Sequence, residues 1–154
     1  MRETGRHESD EGRENSMGER DSRAEWTEEA VVAQAQSAIA AYAHALDAGE
    51  LDGIADLFWP DAVAEIAGVG VFEGLDAIRQ AYAGFAPTGP QLHMVANTVV
   101  TWTDGREATA VNDLAFLRRE ADGWGVQLVG RYDDTLLRRG DEWRFARRVT
   151  TFRG

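Results

Sequence analysis

A chain of 154 residues with 44% hydrophobic and 28% charged side chains has the size of one globular domain with room for a small-molecule pocket. Its 27 acidic residues against 16 basic ones give a net charge of −11, which argues against a duplex nucleic-acid binder built on a basic face. Cys is absent and every basic residue is Arg, which excludes disulfides, thiolate metal sites, cysteine nucleophiles, Schiff-base lysines and P-loop lysines.

Residues 1–24 hold almost no large apolar side chain and a dense mixture of Asp, Glu and Arg, so they read as a disordered tail containing a solvated His7. The domain is expected over 25–154. Thr27 is placed to cap a first helix, Glu28 and Glu29 suit its positive end, and Trp26 with Val31 has the spacing of a hydrophobic staple. Val32, Ala35, Ile39, Tyr42, Ala43 and Leu46 then recur at helical spacing up to Gly49. A second helix is expected over Leu51–Trp59, ended by Pro60. Short strands follow over Ala62–Ala67 and Val71–Glu73, and a third helix over Leu75–Phe85. The last third is β-branched and aromatic: Gln91–Thr103, Arg106–Glu120, Trp124–Arg139 and Glu142–Phe152 are separated by Asp104-Gly105, Asp122-Gly123 and Gly140-Asp141. Four long antiparallel strands joined by tight turns are the expectation, giving an α+β domain with helices on one face of a curved sheet. No apolar stretch reaches a membrane span and no apolar segment follows the N-terminal charges, so no membrane and a cytoplasmic location are expected.

Several strings carry a resemblance. Tyr42-Ala43-His44-Ala45-Leu46-Asp47 and Leu57-Phe58-Trp59-Pro60-Asp61-Ala62 resemble the opening of SnoaL-like domains of the nuclear-transport-factor-2-like superfamily. Gly130-Arg131-Tyr132-Asp133-Asp134, Arg138-Arg139-Gly140-Asp141 and Trp143-Arg144-Phe145 are similar to their end. The resemblance covers roughly residues 27–152. It implies a cone-shaped α+β barrel: a strongly bent, mainly antiparallel sheet around a pocket closed by the N-terminal helices. It also implies a homodimer through the outer sheet face. The superfamily spans dehydratases, dehydrohalogenases, isomerases, epoxide hydrolases, polyketide cyclases and binding proteins, so the reaction must be argued from the site.

Asp47 lies at the edge of the first helix's apolar stripe, near an end whose dipole favours cations. By itself it reads either as a solvated helix-end carboxylate or as a residue aimed at the pocket. His93 shares a strand face with Val95, Asn97 and Val99 by alternation, and alone it reads as a core histidine. The resemblance implies more, because in SnoaL-like dehydratases and dehydrohalogenases an Asp on the first helix and a His on this strand form the catalytic dyad. Asp47 and His93 fall at those places, and Tyr42 matches a tyrosine of the bile-acid-dehydratase branch. Imidazole, with an ordinary pKa of about 6.5, can take a proton at neutral pH, and a carboxylate partner fixes its tautomer. Elimination or isomerisation follows naturally from such a pair.

Secondary pocket candidates are Tyr42, one of Asn112 and Asp113 (which alternate on the same strand), Arg131, and Arg147, which alternates with Trp143, Phe145 and Val149. An inward Arg would bind a carboxylate or polarise an oxygen. His44 is expected in an exposed local pair with Asp47. With two His outside the tail and no Cys, no metal site is expected. A single Ser after residue 25, Ser37, without G-x-S-x-G around it, speaks against a serine hydrolase. The favoured expectation is a cofactor-independent lyase or isomerase acting on a small hydrophobic cyclic molecule. The alternatives are a non-catalytic binding or dimerisation module, or an epoxide hydrolase or polyketide-cyclase-like enzyme.

Overall fold

The computed structural model describes residues 26–154, so the expected tail lies outside the described residues. Helix α1 runs over Glu28–Ala48. Thr27 Oγ1 accepts from the Ala30 N–H at 3.3 Å, and the helix closes at Gly49, whose φ of 72° is a left-handed conformation that suits glycine. Trp26 packs edge-on against Trp143, with ring centroids 5.9 Å apart. Val31, Ala35, Ala38, Ile39, Tyr42, Ala45 and Leu46 form the buried stripe of α1. It lies against the concave face of a six-stranded sheet.

The short helix α2, Leu51–Ala55, ends four residues before the expected boundary at Trp59. Strand β1, Phe58–Ile66, begins there instead and carries Pro60 inside it. The register of β1 against β6 (Glu142–Arg153) shifts between Phe58 and Val63, so Pro60 sits where no ladder N–H is required. Trp59 anchors this entry by donating its indole N–H to the Leu137 carbonyl at 2.8 Å. Strand β2 spans Gly70–Glu73, helix α3 Leu75–Ala83, β3 Gln91–Asp104, β4 Glu107–Glu120 and β5 Gly123–Arg139. The sheet order is β2-β1-β6-β5-β4-β3, antiparallel except for the parallel β1–β6 pair. Strands β2 and β3 are its two edges, so the sheet is a curved open sheet and not a closed barrel.

Four further bulges bend the long strands; one lies at Thr103 near the end of β3, and the other three decide which residues face the helices. In β3, Asn97 and Thr98 oppose the single residue Asn112. Asn97 takes φ 53°, the only positive φ outside glycine among the described residues, in a region Asn tolerates better than most side chains. In β5, Gln127 is the extra residue between the Leu128–Phe116 and Val126–Leu117 pairs. In β6, Ala146 is the extra residue between the Phe145–Leu136 and Arg147–Thr135 pairs. Each bulge shifts the inward–outward alternation by one residue.

Candidate active site

The concave face and the helices line an apolar cavity of about 130 Å³ that opens to solvent. Leu114, Phe116, Leu128 and Tyr132 contribute from the sheet, Tyr42 and Leu46 from α1, Tyr82 from α3, and His93 from β3. Phe85 and Phe152, 40% and 42% exposed, also line it.

Asp47 and His93 meet at this wall. The Asp47 carboxylate accepts from the His93 backbone N–H, at 2.9 Å to Oδ2 and 3.1 Å to Oδ1, and lies 2.6 Å from the ring Nδ1 through Oδ1. A carboxylate accepts only, so the proton of a neutral His93 belongs on Nδ1 and the lone pair on Nε2. The ring stacks on Phe116 with centroids 4.4 Å apart, which fixes its plane. Both side chains are largely buried, at 12% and 15% exposure, so the pair is poorly screened by water. His44 is exposed on α1, and Asp47 is turned to His93 instead of to it.

Tyr42 is buried at the centre of the cavity floor. Its hydroxyl donates to the Tyr82 hydroxyl at 2.8 Å, and its ring meets the Tyr82 and Tyr132 rings edge-on, each at 5.8 Å. The Arg148 guanidinium lies 3.9 Å from the centre of the Tyr42 ring, 4.3 Å from that of Tyr132 and 4.2 Å from that of Phe145. Arg148 is fully buried and grips Asp134 with two parallel bonds, Nε to Oδ1 at 2.7 Å and Nη2 to Oδ2 at 2.8 Å. Asn112 Nδ2 adds a third bond to Asp134 at 3.0 Å, and Thr98 donates to Asn112 Oδ1 at 2.7 Å. Burial opposes the Arg148 charge, but Asp134 outweighs it and raises the arginine pKa further. Burial likewise pushes the Tyr42 hydroxyl above its ordinary range, and those of Tyr82 and Tyr132 well above it. The phenols are therefore neutral hydrogen-bonding groups at physiological pH.

Other sequence-stated candidates stand elsewhere. Asn112 points inward but serves Asp134, whereas Asp113 points to the outer face with Asn97, Arg131 and Arg153. Arg131 is on that same outer face, 3.5 Å from Asp113 and 41% exposed, so it does not reach the cavity. Arg147 faces outward to Glu65 at 2.6 Å, because the Ala146 bulge exchanges its expected orientation with that of Arg148. The β3 bulge turns Val99 outward in the same way and leaves Asn97 exposed, its side chain donating to Asp113 on the outer face, while Thr98 and Val100 turn inward. Tyr82, Tyr132, Asp134 and Arg148 were not anticipated as site residues. Tyr132 and Asp134 alternate with Gly130 on one strand face, a signal open to reading, but nothing local marks the bulge that brings Arg148 inward. Among the described residues no group of three or more His, Asp or Glu side chains is placed to ligate a metal, and no helix is long and apolar enough to cross a membrane.

The profile of the SnoaL-like domain family matches residues 27–149. A Mycobacterium tuberculosis protein of unknown function shares 24% identity and superimposes with a TM-score of 0.73, covering 80% of this chain and 72% of its own. A structure from Catenulispora acidiphila gives 27% identity and a TM-score of 0.73, covering 82% and 94%. The hexachlorocyclohexane dehydrochlorinase LinA-type3 of Novosphingobium barchaimii gives 18% identity and a TM-score of 0.70, covering 81% and 88%. No curated protein matches the chain by sequence.

Proposed function

The chain belongs to the SnoaL-like domain family, and from that premise we propose that it is a cofactor-independent lyase or isomerase for a small hydrophobic cyclic molecule, with His93 as general base. The observation that carries this reading is the 2.6 Å Asp47–His93 contact in the wall of an apolar cavity. His93 Nε2 takes a proton from a carbon beside a carbonyl or a leaving group. The C–H electron pair becomes a new double bond as the leaving group departs or the unsaturation migrates. Asp47 orients the ring and stabilises the imidazolium that forms. Arg148, held by Asp134 behind the Tyr42 ring, fixes the position of that ring in the cavity floor.

A turnover screen of small cyclic ketones, alcohols and halides with wild type, His93→Ala and Asp47→Asn tests the assignment. Wild-type turnover should fall about 10²–10⁴-fold in His93→Ala, the usual range for a lost general base. Turnover surviving in His93→Ala would sink the dyad. Ligand binding without any wild-type turnover would favour the second reading, a binding module using the same cavity.

On the opposite sheet face, exposed Leu92, Met94, Val99, Val126 and Val129 support pairing of two copies of the chain there. Sedimentation velocity at micromolar concentration reads this directly, and a monomer would end it.

A further inference from the structure

Resting on the assignment of His93 as base, we propose that Phe116 is a positioning residue for the reaction, its ring face stabilising the positive charge that appears on His93 as Nε2 takes up the proton. The contact begins in the sheet register. His93 on β3 stands directly opposite Phe116 on β4, and Leu128 stands opposite Phe116 on β5, so the phenyl ring has a neighbour on either side. The His93 backbone N–H is turned away from β4 to the Asp47 carboxylate, and the Arg119 N–H reaches the Pro90 carbonyl at 3.0 Å where the ladder starts. Both bonds make His93–Phe116 a non-hydrogen-bonded pair, the kind in which side chains of neighbouring antiparallel strands approach most closely.

The two rings are nearly parallel, 24° apart in plane with centroids 4.4 Å apart, so the imidazole lies over the negative face of the phenyl ring and not against its edge. A cation within about 6 Å of a ring centroid is attracted to that face. The chain uses such distances elsewhere: Arg148 lies 3.9 Å from the Tyr42 centroid and Arg139 lies 4.8 Å from that of Trp59. His93 differs from these arginines because, as a base, it becomes charged only in taking the proton. The attraction to Phe116 therefore grows as the substrate C–H bond breaks, and an interaction stronger in the transition state than in the ground state raises the rate of the chemical step. Asp47 meets the same charge at the Nδ1 edge, 2.6 Å away. With one edge and one face of the imidazole occupied, Nε2 is left to meet the substrate in the cavity that His93 and Phe116 both line.

Labelling with diethyl pyrocarbonate tests this without a substrate. The imidazole lone pair attacks a carbonyl carbon of the reagent, positive charge grows on the ring as the C–N bond forms, ethyl carbonate leaves, and the Nδ1 proton passes to solvent. Peptide mass spectrometry on the alkaline plateau of the rate gives the labelling of His93 relative to the exposed His44 in the same molecule. Phe116→Leu and Phe116→Met, each checked for an unchanged circular dichroism spectrum, should label His93 about 2- to 30-fold more slowly, the rate equivalent of one cation–π contact. Phe116→Tyr keeps the ring face and should stay within about twofold of wild type. Leu and Met are no bulkier than Phe, so a merely structural role predicts an unchanged or faster rate in both. Such a rate, or a loss in Phe116→Tyr as large as in the other two, would overturn the proposal. A wild-type His93 that stays unlabelled while His44 reacts would instead remove the base assignment itself, so the two failures are read separately.

Discussion

Arg147 and Arg148 are neighbours on β6, and each holds one carboxylate. Arg147 reaches Glu65 on the outer face with about half of its side chain in solvent, whereas Arg148 holds Asp134 on the inner face with none. The outer pair is an ordinary surface bridge, worth about 0–1 kcal/mol. The inner pair has given up its hydration entirely, and apolar residues of similar volume would often serve stability as well or better. A fold therefore gains little from placing that pair beneath three aromatic rings. Its location behind the floor of the cavity fits a part in what the cavity does, by holding the Tyr42, Tyr132 and Phe145 rings in place.

The sharpest way to break this contrast is to remove each arginine in turn. Arg148→Ala leaves Asp134 buried without its counter-charge and should cost about 3–5 kcal/mol in urea unfolding. Combining Arg148→Met with Asp134→Leu should recover most of that loss. A double variant as unstable as the single one would show that packing, and not the stranded charge, sets the effect.

The second effect is alkaline. Burial raises the hydroxyls of Tyr42, Tyr82 and Tyr132, so their folded pKa values lie above the unfolded value of about 10. The folded state then binds more protons than the unfolded state above pH ~10, and stability falls as pH rises from there through the folded values. Phenolate absorbance should therefore appear together with loss of the near-ultraviolet circular dichroism signal. Tyrosines that ionise smoothly in a protein that stays folded would contradict the burial of the floor.

The smallest effect belongs to the outer pair. Arg147→Ala should cost less than about 1 kcal/mol, and that cost should shrink further in high salt. A larger, salt-insensitive loss would show that the outer face is covered in solution.

Much of this was legible along the chain because the signals are local. Thr27 and Gly49 bracket α1, and Asp104-Gly105, Asp122-Gly123 and Gly140-Asp141 mark the turns between the long strands. Pro60 was misread as a helix stop. Its meaning depends on β6, which pairs with β1 through a stretch 82 residues away, as the Glu65–Arg147 contact shows. Asp47 and His93 could be named from their places, but a helix-end carboxylate and a strand histidine are each ordinary in isolation. Their meeting needs α1 to lie across β3 at one angle.

The order of helices and strands and the apolar stripe of α1 were set along the chain, since periodicity, caps and turn residues act over a few neighbours, while the family was carried by the resemblance of particular strings such as Tyr42–Asp47. Tertiary structure decided which polar side chains enter the cavity. Inward and outward alternate every residue along a strand, so one extra residue at Asn97, Gln127 or Ala146 reverses everything beyond it, and such a bulge is stabilised by the partner strand and the curvature of the whole sheet. That is why Arg148 lies under Tyr42 and Arg147 lies in water.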